Sequence, residues 1–151
     1  MKIPARKDGI FVGIQLLLFV IYCIPVAVAS VDIHDFVKYA GLVLGICGLL
    51  IIALAILQLN RNLTPFPTPK ENGTLIQTGL YKVVRHPIYS GIILGAIGFG
   101  VALSSGWKIG IGSALWLLFF VKSTYEEKLL TTQYPDYEDY QQRTGRFFPF
   151  L

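Results

Sequence analysis

The side chains able to do chemistry crowd into two short stretches of this 151-residue chain. The first, residues 79–91, reads Gly79-Leu80-Tyr81-Lys82-Val83-Val84-Arg85-His86-Pro87-Ile88-Tyr89-Ser90-Gly91. The second, residues 126–149, holds Glu126-Glu127-Lys128-Leu129-Leu130, Tyr134 to Tyr140, Arg143 and Arg146-Phe147-Phe148-Pro149. Proline is favoured in the first turn of a helix, so Arg85 and His86 stand at a helix entry. Unpaired N–H groups beside an arginine suit a carboxylate or a phosphate. Glu126 and Glu127 end a long apolar run, where ionisable groups are costly unless paired or functional. They can accept bonds from an ammonium or from ribose hydroxyls. Tyr137 and Tyr140 are one helical turn apart with Arg143 on the same face, and an aromatic face can stack an adenine or hold a cationic sulfonium. Each group also has a plainer reading: Arg85 as a snorkelling boundary marker, Glu126 and Glu127 as interfacial charges, the two tyrosines as a membrane-surface anchor.

The elements that must position these groups are apolar runs long enough to cross a bilayer. About 20 apolar residues in helix span a hydrocarbon core. Such runs are expected at 10–29, 36–59, 87–105 and 107–124. The first ends in Ala27-Val28-Ala29-Ser30, which mimics a signal-peptidase site, but its apolar stretch is long for a signal peptide and is read as a retained span. Gly41, Gly45 and Gly48 share a face of the second, and Gly91, Gly95 and Gly98 a face of the third. Small residues at that spacing let helices approach closely in lipid. A turn at Gly106 joins spans three and four as a hairpin, with Trp107 in an interfacial position. Between spans two and three, Asn60 to Thr78 carries Pro65, Pro67 and Pro69, which preclude regular helix. Loops of that length are functional or disordered as a rule.

Composition agrees. Apolar residues make up 54% and charged residues 15% of the chain, against about 25% charge in soluble domains; the mean hydropathy is +0.59. The formal charge is +4, and the basic residues flank the apolar runs. The expected partner is therefore the bilayer with its anionic cytoplasmic leaflet, and nucleic acid is not expected. Lys2, Arg6 and Lys7, then Arg61, Lys70, Lys82 and Arg85, then Lys122, Lys128, Arg143 and Arg146 fall on one side. Lys38 and Lys108 fall on the other. The positive-inside rule puts both termini and the proline loop in the cytoplasm. Cys23 and Cys47 lie within apolar runs without metal-ligand spacing, so neither a disulfide frame nor a metal site is expected. His34, beside Asp32 and Asp35, reads as a solvated outer-loop residue. The fold class is all-α: a single integral membrane helical bundle over 1–151, with about four transmembrane helices and a C-terminal cytoplasmic helical segment.

The ordered set Arg-His-Pro-x-Tyr-x-Gly at 85–91, Glu-Glu-x-x-Leu at 126–130, Tyr-x-x-Tyr at 137–140 and Arg-x-x-Pro at 146–149 resembles the isoprenylcysteine carboxyl methyltransferase family and the related phospholipid N-methyltransferases. The likeness covers about residues 60–150. It implies an integral membrane methyltransferase that uses S-adenosylmethionine, bound by the last two spans and the C-terminal segment. By position it implies that His86, Pro87, Tyr89, Glu126, Glu127, Tyr137 and Tyr140 hold the cofactor, with Arg85 and Glu127 as the catalytic pair. It implies a lipophilic small-molecule or lipidated acceptor entering from the bilayer, through a carboxylate, an amine or a thiol. A similar scaffold in sterol reductases keeps a nicotinamide-dependent oxidoreductase open as an alternative, as is a non-catalytic membrane protein.

Overall fold

The computed structural model describes residues 6–26, 29–70 and 72–149, with the side chain of Arg61 left aside. Lys2, Ala27 and Val28, assigned above to the first flank and first span, lie outside the described residues, as does Glu71 of the proline loop. Among the described residues all regular structure is helical. Five α-helices follow in order: α1 (Arg6–Cys23), α2 (Asp35–Leu59), α3 (Pro87–Ala102), α4 (Gly106–Gln133) and α5 (Tyr137–Arg143). Short 3-10 turns at Asn60–Asn62 and Gly79–Lys82 bracket the proline loop.

The expected runs are present with shifted ends. α1 starts at Arg6 and stops at Cys23 rather than near residue 29, because Pro25 disfavours helical backbone just before it. α3 ends at Ala102, and Ser104 turns with φ 52° into the hairpin. α4 has 28 residues, about 42 Å of helix, and outruns a hydrocarbon core of about 30 Å. Its final turns therefore carry Glu126 and Glu127 beyond the apolar part, which ends near Thr124. By length and composition, α2 is the one helix among the described residues that qualifies as a membrane span, and α3 is a shorter apolar helix.

The packing is turned outward. Leu16, Leu17, Val43, Leu50, Leu57 and Leu117 are exposed large apolar side chains, while the buried positions of α2 are Gly41, Gly45, Gly48 and Ala55. Such an apolar exterior is far larger than soluble monomers tolerate. The expected glycine faces meet: a Cβ on Gly48 would lie 2.5 Å from the Gly95 nitrogen, and one on Gly98 2.5 Å from the Gly45 nitrogen. The α2 and α3 backbones thus touch with no side chain between them. The compact apolar core, Ile93, Leu115, Phe119 and Phe147, lies between α3, α4 and the C-terminal segment.

At the far end, α4 caps α1. Trp107 Nε1 donates to the Ile21 carbonyl at 3.1 Å, which also accepts from Ile24 N, and Lys108 Nζ donates to the Tyr22 carbonyl at 2.7 Å, so both late carbonyls of α1 are satisfied. His34 is the N-cap of α2, its ring nitrogen accepting from Phe36 N at 3.3 Å.

Candidate functional site

Backbone contacts first bring the two chemical stretches together. Arg85 N donates to Gly145 O at 2.9 Å, His86 N to Arg146 O at 3.1 Å, and Gly145 N to Val83 O at 3.1 Å. This is a parallel stitch between the approach to α3 and the segment after α5. Ser90 Oγ adds a 2.6 Å bond to Phe147 O. Pro87 then opens α3 with His86 at its N-cap, as expected.

Glu127 is the centre of the assembly. Its Oε1 accepts from Arg85 Nε at 2.8 Å and sits 3.2 Å from His86 Nε2; its Oε2 accepts from Arg146 at 2.9 Å and from Gln141 at 3.1 Å. Arg85 also donates to the carbonyls of Gln141 and Thr144. With side chains only 8% and 5% exposed, the Arg85–Glu127 pair is neither a snorkelling arginine nor an interfacial acid. Burial alone would raise the Glu127 carboxyl, but the bonds from His86 and Arg85 hold it down, to about 2.

Glu126, on the adjacent face, accepts from the Tyr89 hydroxyl at 2.8 Å. The Tyr89 ring stacks on Phe119 at 4.5 Å and on His86 at 5.3 Å. Tyr137 and Tyr140 meet edge to face at 5.7 Å, and both are buried rather than anchored at a surface. Tyr140 donates to Tyr81 O at 2.6 Å. The Tyr137 hydroxyl is buried without a hydrogen-bond partner among the described residues. Burial, against the pull of Arg85, pushes Tyr140 up to about 12, and burial raises Tyr81 and Tyr137 as well, so all three remain neutral hydroxyls at physiological pH.

These groups wall a cavity of about 340 Å³, within the range of small-molecule sites. Arg85, His86, Tyr89, Glu126, Tyr137 and Tyr140 line it; Pro87 and Glu127 stand behind the wall. Every expected site residue is therefore in one cluster, but Glu127 holds protein donors on both oxygens. The proline loop forms the opposite wall through Pro65, Phe66 and Pro67. Asn62 clasps Thr74 across its base, Nδ2 to O at 3.0 Å and Oδ1 from N at 3.2 Å. Gly79, at φ +61°, turns the chain back where the Gln58 side chain leaves no room for a Cβ, and Gln58 Oε1 accepts from Leu80 N at 2.8 Å. Among the lining residues outside the expected site are Gln15 of α1, Tyr81, and Lys122, which counted in the sequence only as a flanking charge. A lysine and a glutamine inside apolar runs were the available signals. Among the described residues no cluster of potential metal ligands exists.

Comparison with known proteins fits this geometry. The DUF1295 family, described as a protein of unknown function, matches residues 3–144. A probable protein-S-isoprenylcysteine O-methyltransferase from Oryza sativa subsp. indica is 33% identical over 120 residues, 77% of this chain and 63% of that protein. The cobalt-zinc-cadmium resistance protein CzcN of Cupriavidus metallidurans is 31% identical over 83 residues, 54% of this chain and 38% of that protein. The solved structure of the eukaryotic intramembrane Ras methyltransferase ICMT (isoprenylcysteine carboxyl methyltransferase) superposes with a TM-score of 0.70 at 25% identity, covering 99% of this chain and 55% of that one. The chain thus spans between 38% and 63% of the length of these relatives. It shares with ICMT the all-helical fold of an integral membrane protein. By the match over nearly its whole length, the chain belongs to the DUF1295 family, and in sequence and fold it is an isoprenylcysteine carboxyl methyltransferase-like member of it.

Proposed function

We propose that this protein transfers a methyl group from S-adenosylmethionine to a lipophilic acceptor at the cytoplasmic face of a membrane. The observation that carries this reading is the single cavity on which the Arg-His-Pro, Glu-Glu and Tyr-x-x-Tyr segments converge, in a chain whose relatives include named isoprenylcysteine methyltransferases. The residues present fit the cofactor. The Tyr137 hydroxyl is a buried donor with no protein partner. Glu126 faces the cavity with its remaining acceptor capacity open to ribose hydroxyls or an ammonium. The rings of Tyr81, Tyr89 and Tyr137 give an aromatic surface suited to an adenine and a sulfonium. When bound, the cofactor supplies an electrophilic methyl group on that sulfonium.

The protein's own part is positioning and exclusion of water. Arg85 and Glu127 act through the wall they lock in place. The proline loop closes the cavity opposite them. A carboxylate acceptor is nucleophilic at neutral pH, whereas an amine must first lose a proton. Holding donor and acceptor in line can supply about 7–11 kcal/mol of barrier lowering. With α1 to α4 as four spans and the site at the cytoplasmic ends of α3 and α4, both termini face the cytoplasm. The acceptor enters from the bilayer past the exposed apolar helices.

Calorimetric titration of the purified chain in nanodiscs with S-adenosylhomocysteine tests the reading. Saturable binding is expected, weakened in Tyr137→Phe and Glu126→Gln. A folded parent that binds none would remove it.

A further inference from the structure

Lys122 lies within the apolar half of α4, one turn before Glu126, and is 1% exposed. Its ammonium donates to Gln15 Oε1 of α1 at 2.8 Å and to the Pro65 carbonyl of the proline loop at 3.0 Å. It also stands 5.3 Å from the centre of the Tyr89 ring. Both acceptors are neutral. Among the described residues no carboxylate comes within 4.0 Å of it; Asp8 and Glu126 act on it only from farther away. The other cations of the site differ: Arg85 and Arg146 are both paired to Glu127, at 2.8 and 2.9 Å. Lys122 is thus a buried cation on the cavity wall with no counter-charge beside it.

A buried ammonium without a counter-ion is expensive, the more so at membrane depth. Two neutral acceptors account for two of its three N–H donors. The third donor and the charge have no protein partner among the described residues, and the empty volume they adjoin is the cavity. Arg85, the more obvious anion-binding group by sequence, is already neutralised and held by carbonyls.

We infer that Lys122 binds a carboxylate of the cavity's ligand. This rests on the methyl-transfer reading, under which two carboxylates are available: that of the cofactor's amino-acid end and that of a prenylcysteine acceptor. The chemistry at Lys122 is the same for both: a charge-assisted hydrogen bond to an anionic oxygen. A ligand seated there also stitches α1, α4 and the proline loop around itself, through the Gln15 and Pro65 contacts that Lys122 already makes.

The experiment is calorimetry on the full chain in nanodiscs with two matched pairs of probes. One pair is S-adenosylhomocysteine and its carboxamide; the other is an S-farnesylated N-acetylcysteine and its carboxamide, the second member of each being neutral where the first carries its carboxylate. Lys122→Met is expected to weaken the acid member of one pair by about tenfold or more while its neutral counterpart binds parent and variant alike; Lys122→Arg should restore part of the loss. The pair that responds identifies the source of the carboxylate. Equal weakening of acid and neutral members would reduce Lys122 to a structural tie and overturn the assignment, as would unchanged binding of all four. If Lys122→Met does not fold, the parent decides: acid and neutral members binding alike in both pairs overturn it too. A folded parent that binds no probe at all overturns the methyl-transfer reading, and this inference with it.

Discussion

α3 is held at its middle and at its entry by opposite means. Along its middle, Gly91, Gly95 and Gly98 lie against Gly41, Gly45 and Gly48 of α2, and backbone meets backbone. At its entry, Arg85 and His86 converge with Gln141 and Arg146 on one buried carboxylate, Glu127. In lipid no hydrophobic force draws two helices together, so the seam depends on close van der Waals contact and the entry on charge and hydrogen bonding. The seam is therefore intolerant of added volume and indifferent to charge. The entry is intolerant of lost charge.

The sharpest break is Glu127→Ala. It strands Arg85 and Arg146 without their counter-ion, and removing one partner of a buried pair costs about 3–5 kcal/mol. Unfolding of the detergent-solubilised protein should show that loss, and an unchanged midpoint would mean that the carboxylate does not organise the entry. Next come Gly48→Ala and Gly98→Ala, each expected to cost about 1–3 kcal/mol by overpacking. Gly95→Ala, in the same seam but with no atom within 4 Å of the added Cβ, should be neutral or slightly stabilising in the same assay. Equal effects at Gly48 and Gly95 would break the backbone-contact account.

A pH titration separates the two regions further. The Glu127 carboxyl sits at about 2 in the folded protein, below its unfolded value of about 4.3. Its stabilisation is complete above the unfolded value and is lost as pH falls from there towards 2. Glu127→Gln should flatten that acid limb of the stability curve, while Gly48→Ala should lower the whole curve without altering its shape. A smaller loss than at Glu127 belongs to Tyr89→Phe. It removes the 2.8 Å bond to Glu126 but keeps the stack on Phe119, so a loss of about 1 kcal/mol is expected in the unfolding assay.

The seam and the chemical stretches were legible because their signals are local. Glycines three or four apart must share a helix face, and Arg-His-Pro at a helix entry constrains its own neighbourhood. The α1 terminus was misplaced: Pro25 carried a stop signal that the long apolar run obscured. What was not legible is how the helices are rotated against one another. That rotation sets Lys122 of α4 against Gln15 of α1 and Pro65 of the loop, contacts between positions far apart in sequence. It also divides two adjacent glutamates: Glu126 turns to the cavity and Glu127 to the arginines. Counting basic residues for orientation grouped Lys122, Arg85 and Arg146 with the surface charges, because a tally of charge carries no information about burial.

The backbone stitch between residues 83–86 and 145–146 also has a consequence for biogenesis. A ribosome delivers all four long helices before it delivers Gly145 and Arg146, which lock the entry to α3. Until those residues arrive, Arg85 and Glu127 have no Arg146 beside them and Ser90 has no Phe147 carbonyl to bond. The cavity thus takes shape only after the four long helices have been made. A nascent chain stalled shortly before that point would hold its long helices without the stitch that closes the cavity wall.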